Sequence, residues 1–168
     1  IDYASPPISR SLAQKNFIKS VIHLSKFAKK NKVNLLIENN VLSKKNYKML
    51  GYNPLLFVDA DEIKFIMKKT PKNVNILLDV AHLNVSSKTL KFNKLDFFKK
   101  CEKWIKSYHL SDNDGLSDNN KFVTTKSWFW KHLKKKVDSY TLETRSSDIR
   151  KIKKQIQITN IKINKYAE

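Results

Sequence analysis

The stretch Val33-Asn34-Leu35-Leu36-Ile37-Glu38-Asn39-Asn40 is a short apolar run that ends abruptly at a carboxylate. The pattern recurs three times, as VNILLD at residues 74–79, IKSYH at 105–109 and SYTLE at 139–143. Short apolar runs rich in branched side chains are typical of β-strands. Each run ends in a side chain that can bind a metal ion, and in chain order these are Glu38, Asp79, His109 and Glu143. The sequence therefore predicts four strands, each with one potential ligand at the same end.

Helical periodicity between these runs predicts helices that separate the strands. Ser9 or Ser11 can cap a first helix that runs to about Lys30, and Asp59 or Asp61 can cap a second. The predicted later helices cover about residues 60–69, 94–104 and 127–135, with a last one from about 148. Residues 1–8, 39–59 and 82–93 are predicted as loops, and residues 158–163 fit a helix or a strand equally. The alternation of strand and helix predicts an α/β protein with a parallel sheet.

The four strand ends form a potential metal site. In parallel α/β folds, functional residues gather where the strands reach their C-terminal edge. A parallel sheet would therefore bring Glu38, Asp79, His109 and Glu143 to one rim. Three carboxylates and one imidazole suit Mn²⁺, Mg²⁺, Co²⁺ or Zn²⁺ rather than a structural zinc bound by thiolates. Crowded carboxylates repel one another unless a cation lies among them, so we predict a divalent metal at this rim.

Length and composition predict one domain over residues 1–168 and a cytoplasmic location. The chain is long enough for a single domain with its own core, and 40% of its residues are hydrophobic. The sequence contains no apolar run long enough for a membrane span, and its first residues do not resemble a signal peptide. The single cysteine, Cys101, excludes an internal disulfide and is predicted to be a buried, inert thiol. The chain begins without Met, and we expect it to be part of a longer protein.

The strong positive charge raises the question of an anionic partner. The chain carries 34 Lys and Arg against 15 Asp and Glu, for a net charge of +19. Such an excess can attract nucleic acid. Nearly all of it is lysine spread along the whole chain, however, which favours a solvated surface over a nucleic-acid face.

Four segments resemble the xylose isomerase-like TIM-barrel superfamily. They are LIEN at residues 36–39, LDVAH at 78–82, HLSDNDG at 109–115 and LE at 142–143. The order Glu, Asp-x-x-His, His-x-x-Asp, Glu is similar to strands five to eight of those barrels, and the resemblance extends from about Pro7 to Ile156. The superfamily includes sugar isomerases and epimerases as well as apurinic endonucleases of the endonuclease IV type.

The resemblance implies a (β/α)8 TIM-barrel fold of which this chain supplies about four βα units, strands five to eight. A full barrel needs eight strands and about 250 residues. The chain would then be the C-terminal half of a barrel. The other strands would come from a missing N-terminal half or from a second copy in a homodimer.

The resemblance also implies a metal-dependent isomerase or epimerase of a sugar or sugar phosphate. The metal ligands would be Glu38, Asp79, His109 and Glu143. Glu38 and Glu143 would also be the acid/base pair that moves a proton between adjacent carbons through a metal-stabilised enediolate. His82 would contact the substrate or a metal-bound water, or support the ligands.

Two later carboxylates, Asp112 and Asp114, would orient His109 or shape the loop that follows it. An Asx turn around Gly115 is the favoured role for Asp114.

Two alternatives remain open. The endonuclease branch, which acts on abasic DNA, uses three zinc ions and an Asp-x-His motif after the seventh strand. Here the corresponding stretch is Asp118-Asn119-Asn120, with Asn in place of His, which weakens that alternative. The other alternative is a non-catalytic basic α/β module that binds nucleic acid or a partner protein.

Overall fold

The structure is a computed structural model that describes residues 8–166 of the chain. The loop predicted for residues 1–8 lies outside the described residues except for Ile8. In chain order the elements are α1 (Arg10–Lys30), β1 (Leu35–Glu38), α2 (Lys44–Leu50), α3 (Ala60–Met67), β2 (Val74–Asp79), α4 (Val80–Leu90), α5 (Lys94–Cys101), β3 (Ile105–Leu110), β4 (Ser139–Leu142) and α6 (Ile149–Tyr166). Short 3₁₀ turns lie at Glu102–Trp104 and Trp130–His132.

The four strands form one parallel sheet in the order β1-β2-β3-β4. Asp79 stands opposite His109 in the register, and Leu110 stands opposite Leu142. The strands therefore end at a common C-terminal edge. β1 and β4 are the two edge strands of this sheet. The predicted α/β class with a parallel sheet is confirmed.

One face of the sheet carries the main apolar core. Val74, Ile76 and Leu78 alternate along β2 and are at most 1% exposed. They share a cluster with Ile63 of α3 and with other helical side chains. Successive side chains on a strand point to opposite faces, so Asp79 lies on the face turned away from the helices. On that face Asn75 and Leu77 of β2 are half-buried, and the four strand-end side chains lie at its rim.

Helix caps explain two of the helix starts. Ser9 caps α1 by accepting a hydrogen bond from the Leu12 amide. Asp59 caps α3 by accepting from the amides of Asp61 and Glu62. Both were among the predicted caps, because side chains of this type satisfy the free amides of a first helical turn.

Two predicted loops are wrong, because each contains a helix. α2 lies within residues 39–59, and α4 fills most of residues 82–93. α4 contains Val, Ser and Asn residues of modest helix propensity, so its local signal is weak. Asp79 caps its first turn locally, and a tertiary contact adds to this because buried Ser86 accepts a hydrogen bond from the Leu42 amide at 3.0 Å.

The C-terminal part also differs from the prediction. The helix predicted for residues 127–135 shrinks to the 3₁₀ turn at Trp130–His132. Residues 158–163 belong to α6 and are not a strand. Trp130 is 3% exposed and donates from its indole to the Thr124 carbonyl, so tertiary packing rather than helical hydrogen bonding fixes this segment.

Within residues 8–166, no helix combines the length and the apolar character that a membrane crossing requires. The predicted absence of a membrane partner and the predicted cytoplasmic location stay predictions.

Candidate metal centre

The sheet brings the four predicted ligands together. Asp79 is the last residue of β2 and stands opposite His109, the next-to-last residue of β3. Glu38 is the last residue of β1, and Glu143 directly follows β4, where its amide donates to the Leu110 carbonyl at 3.1 Å. One possible ligand atom from each of the four residues lies within 4.8 Å of the others.

The His109 imidazole is the centre of this group. Its Nδ1 lies 3.3 Å from Glu38 Oε1, 3.2 Å from Glu143 Oε2 and 3.9 Å from Asp79 Oδ2. The atom is buried, yet none of these contacts has hydrogen-bond geometry and it has no hydrogen-bond partner among the described residues. A buried nitrogen without a partner, facing three carboxylates, needs an explanation.

A divalent cation fits this arrangement. Donor atoms at 2.0–2.2 Å from one ion stand about 3 Å apart when they are adjacent and about 4 Å apart when they are opposite. The three separations measured from His109 Nδ1, 3.2–3.9 Å, fall in this range. Three carboxylates and one imidazole suit Mn²⁺, Mg²⁺, Co²⁺ or Zn²⁺. Among residues 8–166, the quartet is the single group of three or more His, Cys, Asp or Glu residues placed to hold an ion.

Burial sets the electrostatics of Asp79, which is 1% exposed. Burial of this carboxyl raises its pKa to about 7, and the neighbouring Glu143 adds to the rise, whereas His82 opposes it. The Glu38 and Glu143 side chains are 37% and 44% exposed. The site therefore combines the buried carboxyl of Asp79 with the carboxylates of Glu38 and Glu143, which are more accessible.

His82 lies beside the quartet, and both of its ring nitrogens face acceptors. Nδ1 is 2.8 Å from the Asn39 carbonyl, and Nε2 is 3.3 Å from Asp118 Oδ2. Burial by itself lowers the pKa of His82, but the hydrogen bond to Asp118 and the charge of Asp79 outweigh it and raise the pKa to about 9. The ring also lies 3.5 Å from Glu38 Oε1 and 3.9 Å from Asp79 Oδ2, so His82 lies next to two of the predicted ligands.

Asn39 was not predicted to belong to the site. It is fully buried and joins the ends of β1 and β2, because its side chain accepts from the Asp79 amide and donates to the Asp79 carbonyl. Its carbonyl also holds His82. The only signal in the sequence is its position directly after Glu38, which by itself does not distinguish it from a turn residue.

Asp112 and Asp114 shape the loop that follows β3. Asp112 accepts from the Ser127 hydroxyl at 2.6 Å and forms a backbone bridge with Lys121. Asp114 accepts from the amides of Leu116 and Ser117 around Gly115, which confirms the predicted Asx turn. These amide hydrogen bonds hold the pKa of Asp114 below its usual value. The loop-shaping alternative is therefore the one that these contacts support.

Comparisons with known proteins identify the fold. No protein-family model matches the sequence, and no curated protein matches it. Among solved structures, the 3-keto-D-glucoside 4-epimerase of E. coli superposes with a TM-score of 0.63 at 14% identity, over 98% of this chain and 58% of that one. The D-psicose 3-epimerase of Clostridium cellulolyticum gives 0.59 at 17% identity, over 99% and 56%. A candidate xylose isomerase of Rhodospirillum rubrum gives 0.59 at 18% identity, over 90% and 53%.

The chain thus spans little more than half the length of the structures that it matches. The likeness covers nearly all of the described chain, and its four parallel strands correspond to part of an eight-stranded barrel. The chain therefore has part of a TIM-barrel fold, a four-stranded parallel sheet that matches little more than half of each of these structures.

Proposed function

We propose that the chain is part of a metal-dependent isomerase or epimerase that acts on a sugar or sugar phosphate. The observation that carries the proposal is the convergence of Glu38, Asp79, His109 and Glu143 at the C-terminal rim of the parallel sheet. In TIM-barrel enzymes this rim is where active sites lie. Two of the matched structures are sugar epimerases, which supports the same class of chemistry.

All four residues would hold the ion, Asp79 and His109 from the central strands and Glu38 and Glu143 from the two sides of the sheet. When bound, a divalent cation would polarise the carbonyl and neighbouring hydroxyl of an open-chain sugar. Glu38 ends β1 and Glu143 directly follows β4, at opposite sides of the sheet, and both carboxylates are accessible, so they can remove a proton from one carbon and return it to the next. His82 can donate to the ligands or to a sugar oxygen.

The endonuclease alternative has less support. It requires three zinc ions, whereas the described residues hold one ligand group of the required kind. Asp118, which begins the stretch compared with the third-metal motif, contacts His82. The net charge of +19 is the main feature that would suit nucleic acid.

The sheet also leaves room for a partner. β1 and β4 each have an unpaired edge within the described chain. We propose that further strands cover these edges in the working enzyme, supplied by the rest of a longer chain or by a second copy.

Metal binding tests the site directly. Titration calorimetry with Mn²⁺ should show one ion per chain, and Glu38→Gln, Asp79→Asn and His109→Gln should each weaken binding at least tenfold. Glu102→Gln, a carboxylate change away from the quartet, should leave binding unchanged. A wild-type chain that binds no Mn²⁺ would contradict the proposal.

Proton exchange tests the chemistry. In D₂O, the metal-loaded enzyme should introduce deuterium at the carbon next to the carbonyl of a ketose such as D-psicose or D-tagatose. Glu143→Gln should abolish the exchange, because it removes one member of the acid/base pair. Exchange that is equally fast in this variant would exclude Glu143 as an acid/base group.

A further inference from the structure

We propose that Asp118 is a positioning residue of the metal centre, which acts by holding the His82 imidazole beside the ligands. Asp118 lies in the loop after β3, and its Oδ2 is 3.3 Å from His82 Nε2. In sequence, Asp118 lies nine positions after His109 and much farther from the other three predicted ligands. The inference rests on the proposed metal centre and assigns it a supporting residue on a separate loop.

His82 transmits the effect because it contacts two of the predicted ligands. Its Nδ1 is 3.5 Å from Glu38 Oε1, and its Nε2 is 3.9 Å from Asp79 Oδ2. The ring is only 17% exposed, and the Asn39 carbonyl fixes its Nδ1 edge. Asp118 fixes the other edge. Because both ring nitrogens are held, the ring keeps one orientation against the Glu38 and Asp79 carboxylates. Without Asp118, only the contact with the Asn39 carbonyl would orient the ring.

The loop around Asp118 is built to present this carboxylate. A backbone bridge between Asp112 and Lys121 closes the loop at its base, with hydrogen bonds of 2.9 and 2.8 Å. Asn113 donates to the Ala81 carbonyl and accepts from Asn84. These contacts attach the loop to α4, the helix that carries His82. The position of Asp118 relative to His82 is therefore fixed by several contacts other than their own.

Lys88 adds a further attachment along the same helix. Its ammonium donates to the Asp114 carbonyl at 2.6 Å, and its side chain packs against Gly115. Loop and helix thus form one unit, and the Asp118–His82 contact is the part of it that lies nearest to the quartet.

The expected consequence is a change in metal affinity. Mutation of a residue that orients metal ligands without binding the metal itself typically changes the metal affinity by 10–100-fold. Asp118→Ala should weaken Mn²⁺ binding about tenfold. Asp118→Asn keeps a hydrogen-bond acceptor of the same shape and should stay close to wild type. Asp118→Glu keeps the charge but moves the acceptor, so it should bind as weakly as the alanine variant.

Calorimetry with Mn²⁺ and ¹⁵N-histidine NMR of the metal-free chain together test the proposal. The chain has four histidines, so the ring signals of His82 can be assigned with single variants. Asp118→Ala and Asp118→Glu should broaden the His82 signals because the ring loses its fixed orientation, whereas in Asp118→Asn the signals should stay sharp. Asp114→Asn is the matched control, because it removes one charge from the same loop at a residue that contacts Lys121 and the local amides instead.

Each outcome decides the question. Equal Mn²⁺ affinity in wild type and Asp118→Ala would overturn this proposal alone. A wild-type chain without Mn²⁺ binding would overturn the metal centre and this proposal with it. If Asp118→Ala does not fold, the contrast between Asp118→Asn and Asp118→Glu carries the test, and equal behaviour of these two variants overturns the positioning role.

Discussion

At the scale of single residues, the buried Asp79 carboxyl should make the free energy of unfolding of the metal-free chain depend on pH. Its pKa rises from 3.8 to about 7 because the carboxyl is buried and lies near Glu143. The folded chain then holds a proton that the unfolded chain releases, so the free energy of unfolding falls between about pH 4 and pH 7 and levels off above. At pH 8 without metal, an ionised Asp79 should destabilise the fold.

Asp79→Asn should therefore stabilise the metal-free chain at pH 8 by about 1–2 kcal/mol. The amide can still accept from the His82 backbone, so the cap of α4 is kept. The same variant should lose the stabilisation that Mn²⁺ gives the wild type. Urea unfolding at pH 5 and pH 8, with EDTA or with Mn²⁺, measures both effects. A variant that is less stable than wild type at pH 8 in EDTA would contradict this prediction.

Cys101 supplies a second residue-scale prediction. The thiol is fully buried, and burial, with a contribution from Asp61, raises its pKa to about 12. Relative to a pKa of 9.0, the thiolate fraction at pH 8 is lower by about a thousandfold, so a thiol reagent should react with the native chain only through unfolding. A colorimetric thiol assay with and without urea gives the rates. Because the unfolded thiol ionises first, stability should also fall as pH rises above about 9.

At the scale of elements, the loop after β3 depends on a glycine. Gly115 has a φ of +75°, and a Cβ there would meet the Lys88 side chain. Gly51, which ends α2, has a nearly equal φ of +74° with nothing within 4 Å of a Cβ. A substitution would therefore strain the backbone to a similar extent at both glycines. Only at Gly115 would the new side chain also meet Lys88.

Gly51→Ala should cost about 1 kcal/mol from backbone strain alone. Gly115→Ala should cost more and should raise hydrogen exchange across residues 112–121, because Lys88 must leave its place on the loop. Unfolding and amide exchange of the two variants give the comparison. Equal costs would show that the Lys88 contact does not stabilise the loop.

At the scale of the whole molecule, the open sheet should make the isolated chain self-associate. Its edge strands are unpaired within residues 8–166, and exposed edges promote association. The helices at the two ends of the chain also expose large apolar side chains, among them Phe27 on α1 at 68% and Ile161 on α6 at 65%. Burial of such exposed apolar side chains against a second copy would add to the association that the open edges favour.

Light scattering after gel filtration should show a dimer or a larger species. Phe27→Lys and Ile161→Lys, combined, should shift the chain towards the monomer. Leu116→Lys, at a loop residue that is 62% exposed, is the matched control and should have no effect. A monomeric wild type at all concentrations would contradict the prediction, and would leave a longer chain as the source of the missing strands.

The sequence by itself determined the strands, the fold class and the identity of the quartet. Strand periodicity is a local property, and the ligand-type side chains come directly after the apolar runs, so Glu38, Asp79, His109 and Glu143 could be named in advance. That they lie within 4.8 Å confirms their predicted proximity; their role as ligands stays a prediction. The matched structures confirm the fold to which the sequence was similar.

Tertiary structure decided what local signals do not encode. α4 forms in a segment of modest helix propensity because buried long-range contacts, such as that between the Leu42 amide and Ser86, hold it. Asn39 joins the site through hydrogen bonds to residues 40 or more positions away. Asp118 joins it through a contact with His82, which is 36 positions away. Such contacts depend on how the elements pack, so the ligands could be read from the chain, whereas the residues that hold them in place could not.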